Sequence, residues 1–459
     1  MKYYVVLLLL FSICYINTTA QTDEQIIAQI FEENLGSGHT YKNLEYLTKN
    51  IGNRINGSPQ LAAAIEYSKQ LMLSYDFDTV YLQPVMIPNW KRAEPEIVRI
   101  INSTSLGNKK LNCISFGNSI GTGPDGIFGE VVEFNGLESL KQAKEDEIRG
   151  KIVFLNKSIN QKNFDVLGEY GKNIGLRQEG ASVAAGKGAI AFILRSLSTG
   201  TDHIAHTGQM SYTNADGKIP ALAIGYSEAN LLSELVIKEP EIHLYIETHC
   251  ERYDDVMSYN LIGELKGTEY TDEVIVVGGH IDSWDVGEGA HDDGAGCVQS
   301  IEVVRTFKTL KIDPKHTIRV ILWVDEENEQ NGAIDYAKMS KRMNTKHIAA
   351  IESDFGGFLP LGFYINTNNE TALRSINSWK KYFLPYEMSQ FIEGYAGVDI
   401  ALLKNDDILL LTLKTNLQPY ASIYHSKKDV FEIVDKRELA LGAAAMTSIV
   451  YLIDKYGLE

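Results

Sequence analysis

The sequence predicts an α/β fold in which a mixed central sheet is flanked by helices and interrupted by a β-rich insertion. After Tyr259, β-branched apolar runs alternate with apolar helical patterns up to the C-terminus, an order typical of sheets covered by helices. Between roughly residues 96 and 256, many short β-type runs are separated by glycines, which is typical of a separate module.

The chain in order supports a division into four parts. Residues 1–20 are expected to be a signal peptide, 21–95 the first part of the main domain, 96–256 the insertion and 257–459 the rest of the main domain. The first part has helical patterns at 24–33, 41–49 and 59–75 and a strand pattern at 76–84. In the insertion, residues 180–187 are the one stretch that resembles a helix. Residues 88–92, polar and aromatic, fit either a surface turn or a contact to a site.

The first twenty residues have the features of an export signal. Lys2 precedes the apolar stretch Tyr3–Ile16, and Thr18-Thr19-Ala20 offers small residues where a signal peptidase cleaves. The stretch is too short for a spanning helix, and no other segment of the sequence approaches the necessary length. We therefore expect an exported, soluble mature protein that has no membrane span and begins near Gln21.

Composition excludes some partners. The 459 residues are 44% hydrophobic and 22% charged, as in ordinary globular proteins, and the net charge is −17. This negative charge argues against nucleic acid or an anionic membrane surface as partner. Cys113, Cys250 and Cys297 remain after signal removal; a Cys113–Cys250 bridge and free buried thiols are both compatible with the sequence.

Ligand-type side chains follow predicted strands. The β-branched run Val274–Val277 leads through two glycines to His280 and Asp282, and the next loop ends at Asp292, just before an apolar helical pattern. Strands are also predicted at 316–324, 348–351 and 409–413, each followed by a carboxylate or a histidine. Sites in open α/β sheets lie at such strand ends. The five candidate metal ligands are His280, Asp292, Glu327, Asp354 and His425.

Imidazoles and carboxylates without thiolates suit catalytic zinc or another divalent transition metal. Five ligands are too many for one open catalytic ion, but they suit two ions that share a carboxylate. Glu326 directly precedes Glu327 and is therefore the candidate general base. Asp282 could accept a hydrogen bond from the His280 ring and fix its tautomer, with Asp429 a weaker candidate for the same duty toward His425. His291 is expected to point away.

These motifs resemble those of a known family. The strings are 278–296 (Gly-Gly-His-Ile-Asp through Asp-Asp-Gly-Ala-Gly), 323–327 (Trp-Val-Asp-Glu-Glu), 352–356 (Glu-Ser-Asp-Phe-Gly) and 424–429 (Tyr-His-Ser-Lys-Lys-Asp). They look like the metal motifs of the co-catalytic zinc peptidases, which include bacterial leucyl aminopeptidase and glutamate carboxypeptidase. Segments 87–92, 119–122, 206–208 and 218–220 are similar to one branch of this family.

The resemblance implies a role for each residue. His280 and Asp354 would bind one zinc ion, Glu327 and His425 the second, and Asp292 both. Glu326 would be the general base, and Asp282, the second catalytic residue, would be the carboxylate partner that orients His280.

The resemblance also implies a zinc-peptidase type of fold, a protease-associated-type domain at 96–256, a homodimer and a cis peptide bond between Asp292 and Asp293. The sequence departs from the family at Asn328-Glu329, at Val430 and in the loosely matching segment 394–399, and these departures concern specificity more than catalysis.

The favoured function is an exported dizinc exopeptidase or dipeptidase, with short peptides and dipeptides as substrates. Two alternatives are a catalytically inactive binding protein on a peptidase scaffold and a glutaminyl cyclase-type reaction on the same scaffold. Inactive relatives typically lack several ligands, whereas this sequence has all five and the base.

Overall fold

The structure is a computed structural model that describes residues 21–213, 217–239 and 241–458. The predicted signal peptide, residues 1–20, lies outside the described residues. The strands are β1 (Thr79–Lys91), β2 (Ile97–Ser103), β3 (Gly107–Leu111), β4 (Cys113–Ser115), β5 (Ile127–Phe134), β6 (Ile152–Leu155), β7 (Ala191–Arg195), β8 (Ala221–Ile224), β9 (His243–Glu247), β10 (Glu251–Leu265), β11 (Tyr270–His280), β12 (His316–Trp323), β13 (Lys346–Glu352), β14 (Pro360–Asn366), β15 (Gln390–Glu393) and β16 (Leu409–Thr415).

Helices cover both sheets. They are α1 (Asp23–Ser37), α2 (Thr40–Glu45), α3 (Pro59–Ser74), α4 (Leu137–Gln142), α5 (Glu145–Ile148), α6 (Val166–Gly186), α7 (Tyr226–Lys238), α8 (Ala295–Leu310), α9 (Asn331–Met343), α10 (Glu370–Trp379), α11 (Val398–Ala401), α12 (Leu417–Tyr420) and α13 (Lys436–Tyr456). π-helical turns occur at Tyr46–Ile51 and Ala290–Gly294, and 3₁₀ turns at Lys380–Tyr382, Leu384–Tyr386 and Phe431–Ile433.

The first sheet is mixed and has the strand order β1-β10-β12-β11-β13-β16-β14-β15. Its four central strands, β12, β11, β13 and β16, run parallel. β1 and β10 are antiparallel to their neighbours, and β14 is antiparallel to β16 but parallel to β15. The parallel strands are buried, near-continuous apolar runs, as expected for strands covered on both faces. The prediction of a mixed central sheet flanked by helices is confirmed.

The second sheet has the order β3-β2-β9-β5-β6-β7-β8-β4. Its strands β5 to β8 run parallel and are accompanied by α4 to α7, so this region is a mixed α/β layer rather than a β-rich one. Helix α6 extends over 21 residues, far beyond the helical pattern expected at 180–187. Its start was missed because Gly168, Gly171 and Gly175 lower the helical propensity there.

The chain passes between the two sheets along one long ribbon. β1 pairs antiparallel with β10 from Thr79 opposite Glu264 to Lys91 opposite Glu251. The chain leaves the first sheet after β1 and returns through β10, so the second sheet spans β2 to β9. Residues 88–91 continue β1 instead of forming a surface turn, and the Trp90 side chain is buried.

Helix α13 corrects one expectation. Among the described residues it is long and apolar enough to cross a membrane, contrary to the prediction that no further segment approaches that length. However, 83% of its apolar window is buried inside the protein, against α8 and α1. Length and composition alone do not distinguish a spanning helix from the core helix of a globular domain.

The three cysteines in the described part of the chain are free. Cys250 and Cys297 are buried and Cys113 is partly buried. Of the two readings open for Cys113 and Cys250, the structure therefore has the free thiols.

Candidate metal centre

Four neighbouring strands deliver the candidate ligands. His280 is the last residue of β11, Glu327 follows β12, Asp354 follows β13 and His425 lies beyond β16. Because β12, β11, β13 and β16 are parallel neighbours, their carboxyl ends meet at the same edge of the first sheet. Asp292 joins them from the turn Ala290–Gly294, which leads into α8. The structure thus brings together all five predicted ligands, hereafter the ligand cluster.

Asp292 lies between two histidine–carboxylate pairs. Its Oδ1 is 3.3 Å from Nε2 of His280, which is 3.2 Å from Oδ1 of Asp354. Its Oδ2 is 3.2 Å from Nε2 of His425, which is 3.1 Å from Oε2 of Glu327. One carboxylate therefore presents one oxygen to each pair, the arrangement expected of a bridging ligand.

The donor atoms fit cations of zinc type. In each group of three, His280 with Asp292 and Asp354, and Asp292 with Glu327 and His425, the ligand atoms lie within 4.8 Å of one another. Asp292 Oδ2, Glu327 Oε1 and His425 Nδ1 are buried without a hydrogen-bond partner. Buried polar atoms without partners are rare in proteins and often mark an ion site.

The electrostatics of the cluster also favour a cation. Burial raises the pKa of Glu326 well above its usual range, and the carboxylates of Asp354 and Glu327 add to the effect. Although burial alone would lower it, the pKa of His280 is raised well above its usual value by Asp282, Asp292 and Asp354. Several carboxylates in a buried space disfavour their own ionisation unless positive charge is supplied.

Asp282 connects His280 to the loop that carries Glu326 and Glu327. Its carboxylate accepts the backbone N–H groups of both glutamates, each at 3.2 Å. Nδ1 of His280 lies 3.1 Å from the Asp282 backbone carbonyl oxygen and 3.7 Å from Oδ1. The imidazole therefore contacts the main chain of Asp282, while the carboxylate positions the two glutamates.

Two further aspartates fix the backbone of the cluster. Asp429, expected near the His425 ring, instead accepts the N–H groups of His291 at 2.7 Å and Asp292 at 3.1 Å. Asp293, which the sequence reasoning left without a role, accepts the N–H of His280 at 3.1 Å through Oδ2. Its position next to the ligand Asp292 and before a glycine at a helix start is the sequence feature that indicates a role for Asp293 in the site. The Asp292–Asp293 peptide bond is cis, as predicted.

His291 stays outside the cluster, as expected. Its ring stacks on Phe358 with centroids 4.0 Å apart, and Nδ1 accepts the N–H of Gly357 at 3.1 Å. Burial lowers its pKa to about 4, so the ring is neutral at physiological pH.

A cavity of about 240 Å³ lies over the ligand cluster. One side is formed by Asp292, Glu326, Glu327, Asp354 and His425, and the other by α6 of the second sheet, including Tyr170, Ile174 and Arg177. Sequence patterns did not indicate that α6 reaches the cluster, because α6 ends 94 residues before His280, the first ligand.

The second sheet also holds the loop of His425. Nδ1 of His206 lies 2.7 Å from the carbonyl oxygen of Tyr424, and the Thr207 N–H donates to the carbonyl of His425 at 2.8 Å. Segment 206–208 was noticed only as part of the family resemblance. Its contacts show that it supports the main chain at a candidate ligand.

Comparison with known proteins agrees with this geometry. The model of peptidase family M28 matches residues 260–450. Carboxypeptidase Q of Bos taurus is 31% identical over 414 residues, which cover 90% of this chain and 85% of that protein. The peptidase M28 precursor of Shewanella amazonensis SB2B superposes with a TM-score of 0.88 at 30% identity, over 95% of this chain and 98% of that one.

The chain therefore belongs to peptidase family M28, the class that the sheet and its strand-end cluster define. Within that class it is similar to carboxypeptidase Q, including human carboxypeptidase Q, at 31% identity over 90% of this chain and 85% of that protein. A zinc aminopeptidase of Bacillus subtilis shares the fold, with a TM-score of 0.63 at 18% identity over 91% of this chain and 95% of that one.

Proposed function

We propose that this protein is a zinc-dependent exopeptidase that hydrolyses dipeptides and other short peptides near a free terminus. The observation that carries the proposal is the position of Asp292, one oxygen toward His280 and the other toward His425. That arrangement fits two metal ions about 3.5–4 Å apart that share a carboxylate.

The residues divide between two ions. His280 and Asp354 would hold one zinc, Glu327 and His425 the other, and Asp292 both. When bound, such ions polarise a carbonyl and make a water acidic enough to act as nucleophile near neutral pH. The donor set contains no thiolate, as is common for catalytic zinc.

Glu326 is the proposed general base. Its Oε2 is 4.0 Å from Nε2 of His280, so it borders the ligand cluster without belonging to either ligand group. It would accept the proton of the attacking water and give it to the leaving amine. The N–H groups of Glu326 and Glu327 are tied to Asp282, which would keep the base beside the ligand. In this role Asp282 positions the catalytic groups.

The comparisons support the reaction class. Carboxypeptidase Q is a peptidase by name, and the fold relative from Bacillus subtilis is named a zinc aminopeptidase. Catalytically inactive binding and glutaminyl cyclisation are the alternatives. The full set of five ligands and a base disfavours the first, and no contact of the described residues favours the second.

Three wider features belong to the same proposal. The second sheet would be an inserted protease-associated-type domain, with boundaries near residues 96 and 256. The first twenty residues would direct export. The protein would act as a homodimer, which the family resemblance implies.

The test combines metal analysis with substrate profiling. We expect two zinc ions per purified chain and hydrolysis of a dipeptide library. His280→Ala and His425→Ala should each lower the metal content, whereas His243→Ala, a histidine on β9 outside the cluster, should not. Unchanged zinc in both cluster variants would overturn the ligand assignment. Metal-loaded protein that cyclises N-terminal glutamine, or turns over nothing, would instead support one of the alternatives.

A further inference from the structure

Arg177 on α6 faces the cavity over the ligand cluster. Its side chain is 5% exposed, and among the described residues that line this cavity it is the one lysine or arginine. Asp292, Glu326, Glu327 and Asp354 line the same cavity. One buried arginine therefore lines the same small cavity as several carboxylates.

The contacts of Arg177 provide dipoles but no opposite charge. Nε donates to the carbonyl of Gln209 at 3.0 Å and Nη1 to the carbonyl of Thr207 at 3.4 Å. The guanidinium lies over the Tyr170 ring, 5.6 Å from its centroid. Within the described parts of the chain, no carboxylate oxygen comes within 4.0 Å of it.

The backbone beneath Arg177 is shaped to make room for it. A Cβ atom on Gly208 would lie 2.2 Å from Nη1 of Arg177, and Gly208 has a φ of +138°. Only glycine fits that conformation and that spacing. Segment 206–208 therefore supports the guanidinium on one side and the main chain of His425 on the other.

Another buried arginine shows what is absent at Arg177. Arg92 is paired with Asp285, with Nη2 2.7 Å from Oδ1. Burying a charge is unfavourable unless an opposite charge or several hydrogen bonds compensate for it. Burial lowers the pKa of Arg177, but the nearby Tyr170 and Tyr424 and the carboxylate of Glu327 outweigh burial and raise it. Arg177 is thus a charged group whose counter-ion a ligand could supply.

We propose that Arg177 binds the free α-carboxylate of the substrate and makes the enzyme specific for the peptide bond next to a free C-terminus. The proposal rests on the proposed peptidase function and assigns its polarity. With the scissile carbonyl at the ligand cluster, a carboxylate directed toward α6 would meet the guanidinium, whereas the four acidic side chains that line the cavity would repel it. Guanidinium and carboxylate form strong, geometrically defined pairs.

A purely structural role for Arg177 makes a different prediction. Because it binds the carbonyls of segment 207–209, which holds His425, its loss could harm any substrate equally. Recognition of a carboxylate must instead depend on whether the substrate has one. The experiment therefore pairs an enzyme variant with a substrate variant.

We would measure kcat and KM for a good dipeptide and for the same dipeptide as its C-terminal amide. The wild-type enzyme should prefer the free acid by about 10- to 100-fold in kcat/KM, as for loss of a charged hydrogen bond. Arg177→Met should bring this ratio close to one, and Arg177→Lys should retain part of it. Arg195→Lys and Arg195→Met, which change a buried arginine on β7 that does not line the cavity, should leave the ratio unchanged.

Equal loss on both substrates in the Arg177 variants, or no preference in the wild-type enzyme, would overturn the proposal. Calorimetric titration of Glu326→Gln with the dipeptide and its amide gives a readout that needs no turnover. Tighter binding of the acid, lost when Arg177→Met is added, supports carboxylate recognition even if the wild-type protein hydrolyses no peptide. Hydrolysis without such a preference would leave the peptidase function standing and remove the role of Arg177.

Discussion

The two sheets contribute different things to one cavity. The first sheet supplies all five candidate ligands and the candidate base from the strand ends and loops at the carboxyl edge of its parallel strands. The described residues of the second layer supply no candidate ligand; this layer covers the cluster with α6 and supports the loop of His425. The comparison suggests that reaction chemistry resides in one layer, and substrate selection and loop support in the other.

The two layers contact each other along segment 420–428, which belongs to the first layer. Tyr424 donates its hydroxyl to the carbonyl of Leu197 at 2.7 Å, and Ser198 Oγ donates to the carbonyl of Ala421 at 2.9 Å. His425 thus follows a strand of the first sheet, but its backbone is hydrogen-bonded by residues of the second layer. The division between the two layers is therefore incomplete at this one ligand, which both layers hold in place.

The largest expected effect is on chemistry alone and falls in the first sheet. Glu326→Gln should lower kcat by about 10³-fold, since general base catalysis contributes about 10²–10⁴-fold. The metal content should not change, because Glu326 is not in either ligand group. Glu329→Gln, a nearby but more exposed carboxylate, is the matched control. Full activity in Glu326→Gln would remove this residue from the mechanism.

A smaller effect is expected behind the ligands. Asp282→Asn leaves a single acceptor oxygen for two N–H groups, so either Glu326 or Glu327 loses its hydrogen bond. We expect a loss of about 10- to 100-fold in kcat/KM, typical for groups that orient metal ligands. Steady-state kinetics with metal analysis measures it. Kinetics equal to those of the wild-type enzyme would show that the glutamate loop keeps its position without Asp282.

The difference between the two layers also determines which parts of the site the sequence predicted. Four of the ligands were predictable because they follow buried apolar strands, and parallel strand ends converge by topology. His280 and Asp354 could be predicted from the order of the strands alone, without information on contacts between distant residues. The cis bond after Asp292 came from the family resemblance and not from the local residues.

The second sheet was less predictable for physical reasons. The glycines at 168, 171 and 175 concealed the first half of α6, whose burial against the other layer outweighs its weak helical propensity. Arg177 lies in that helix, and its place in the same cavity as Asp292 depends on how the two layers pack. Asp429 was assigned to the His425 ring from its spacing, whereas tertiary packing places it at the N–H groups of His291 and Asp292.

The contacts that the second layer makes with the loop of His425 should affect the affinity of one of the two proposed metal sites. His206→Ala removes the contact to the Tyr424 carbonyl and should weaken binding of the ion that Glu327 and His425 would hold by about 10-fold. The ion that His280 and Asp354 would hold should be less affected. Stepwise metal titration separates the two. His203→Ala, a neighbouring histidine outside these contacts, is the control, and equal weakening of both ions would contradict the division between layers.

The smallest effect on activity is expected from the buried carboxyls around the cluster, which should instead control the stability of the metal-free protein. Burial raises the pKa of Asp325 and of Glu352 to about 8 and that of Asp429 to about 7, with nearby carboxylates adding to each. A carboxyl whose pKa is higher in the folded state than in the unfolded one, near 4, holds its proton better when folded.

The sign of the pH dependence follows. Such groups contribute stability below pH 4, and this contribution is lost as the pH rises through the folded values near 7 and 8. We expect the Tm of the metal-free protein to fall by about 5 °C or more between pH 5.5 and pH 8.5. Bound cations favour the ionised carboxylates, so the metal-loaded protein should show a smaller fall. A metal-free Tm that is unchanged or higher at pH 8.5 would mean that these carboxyls ionise freely, and that the first sheet does not depend on a cation to offset its buried negative charge.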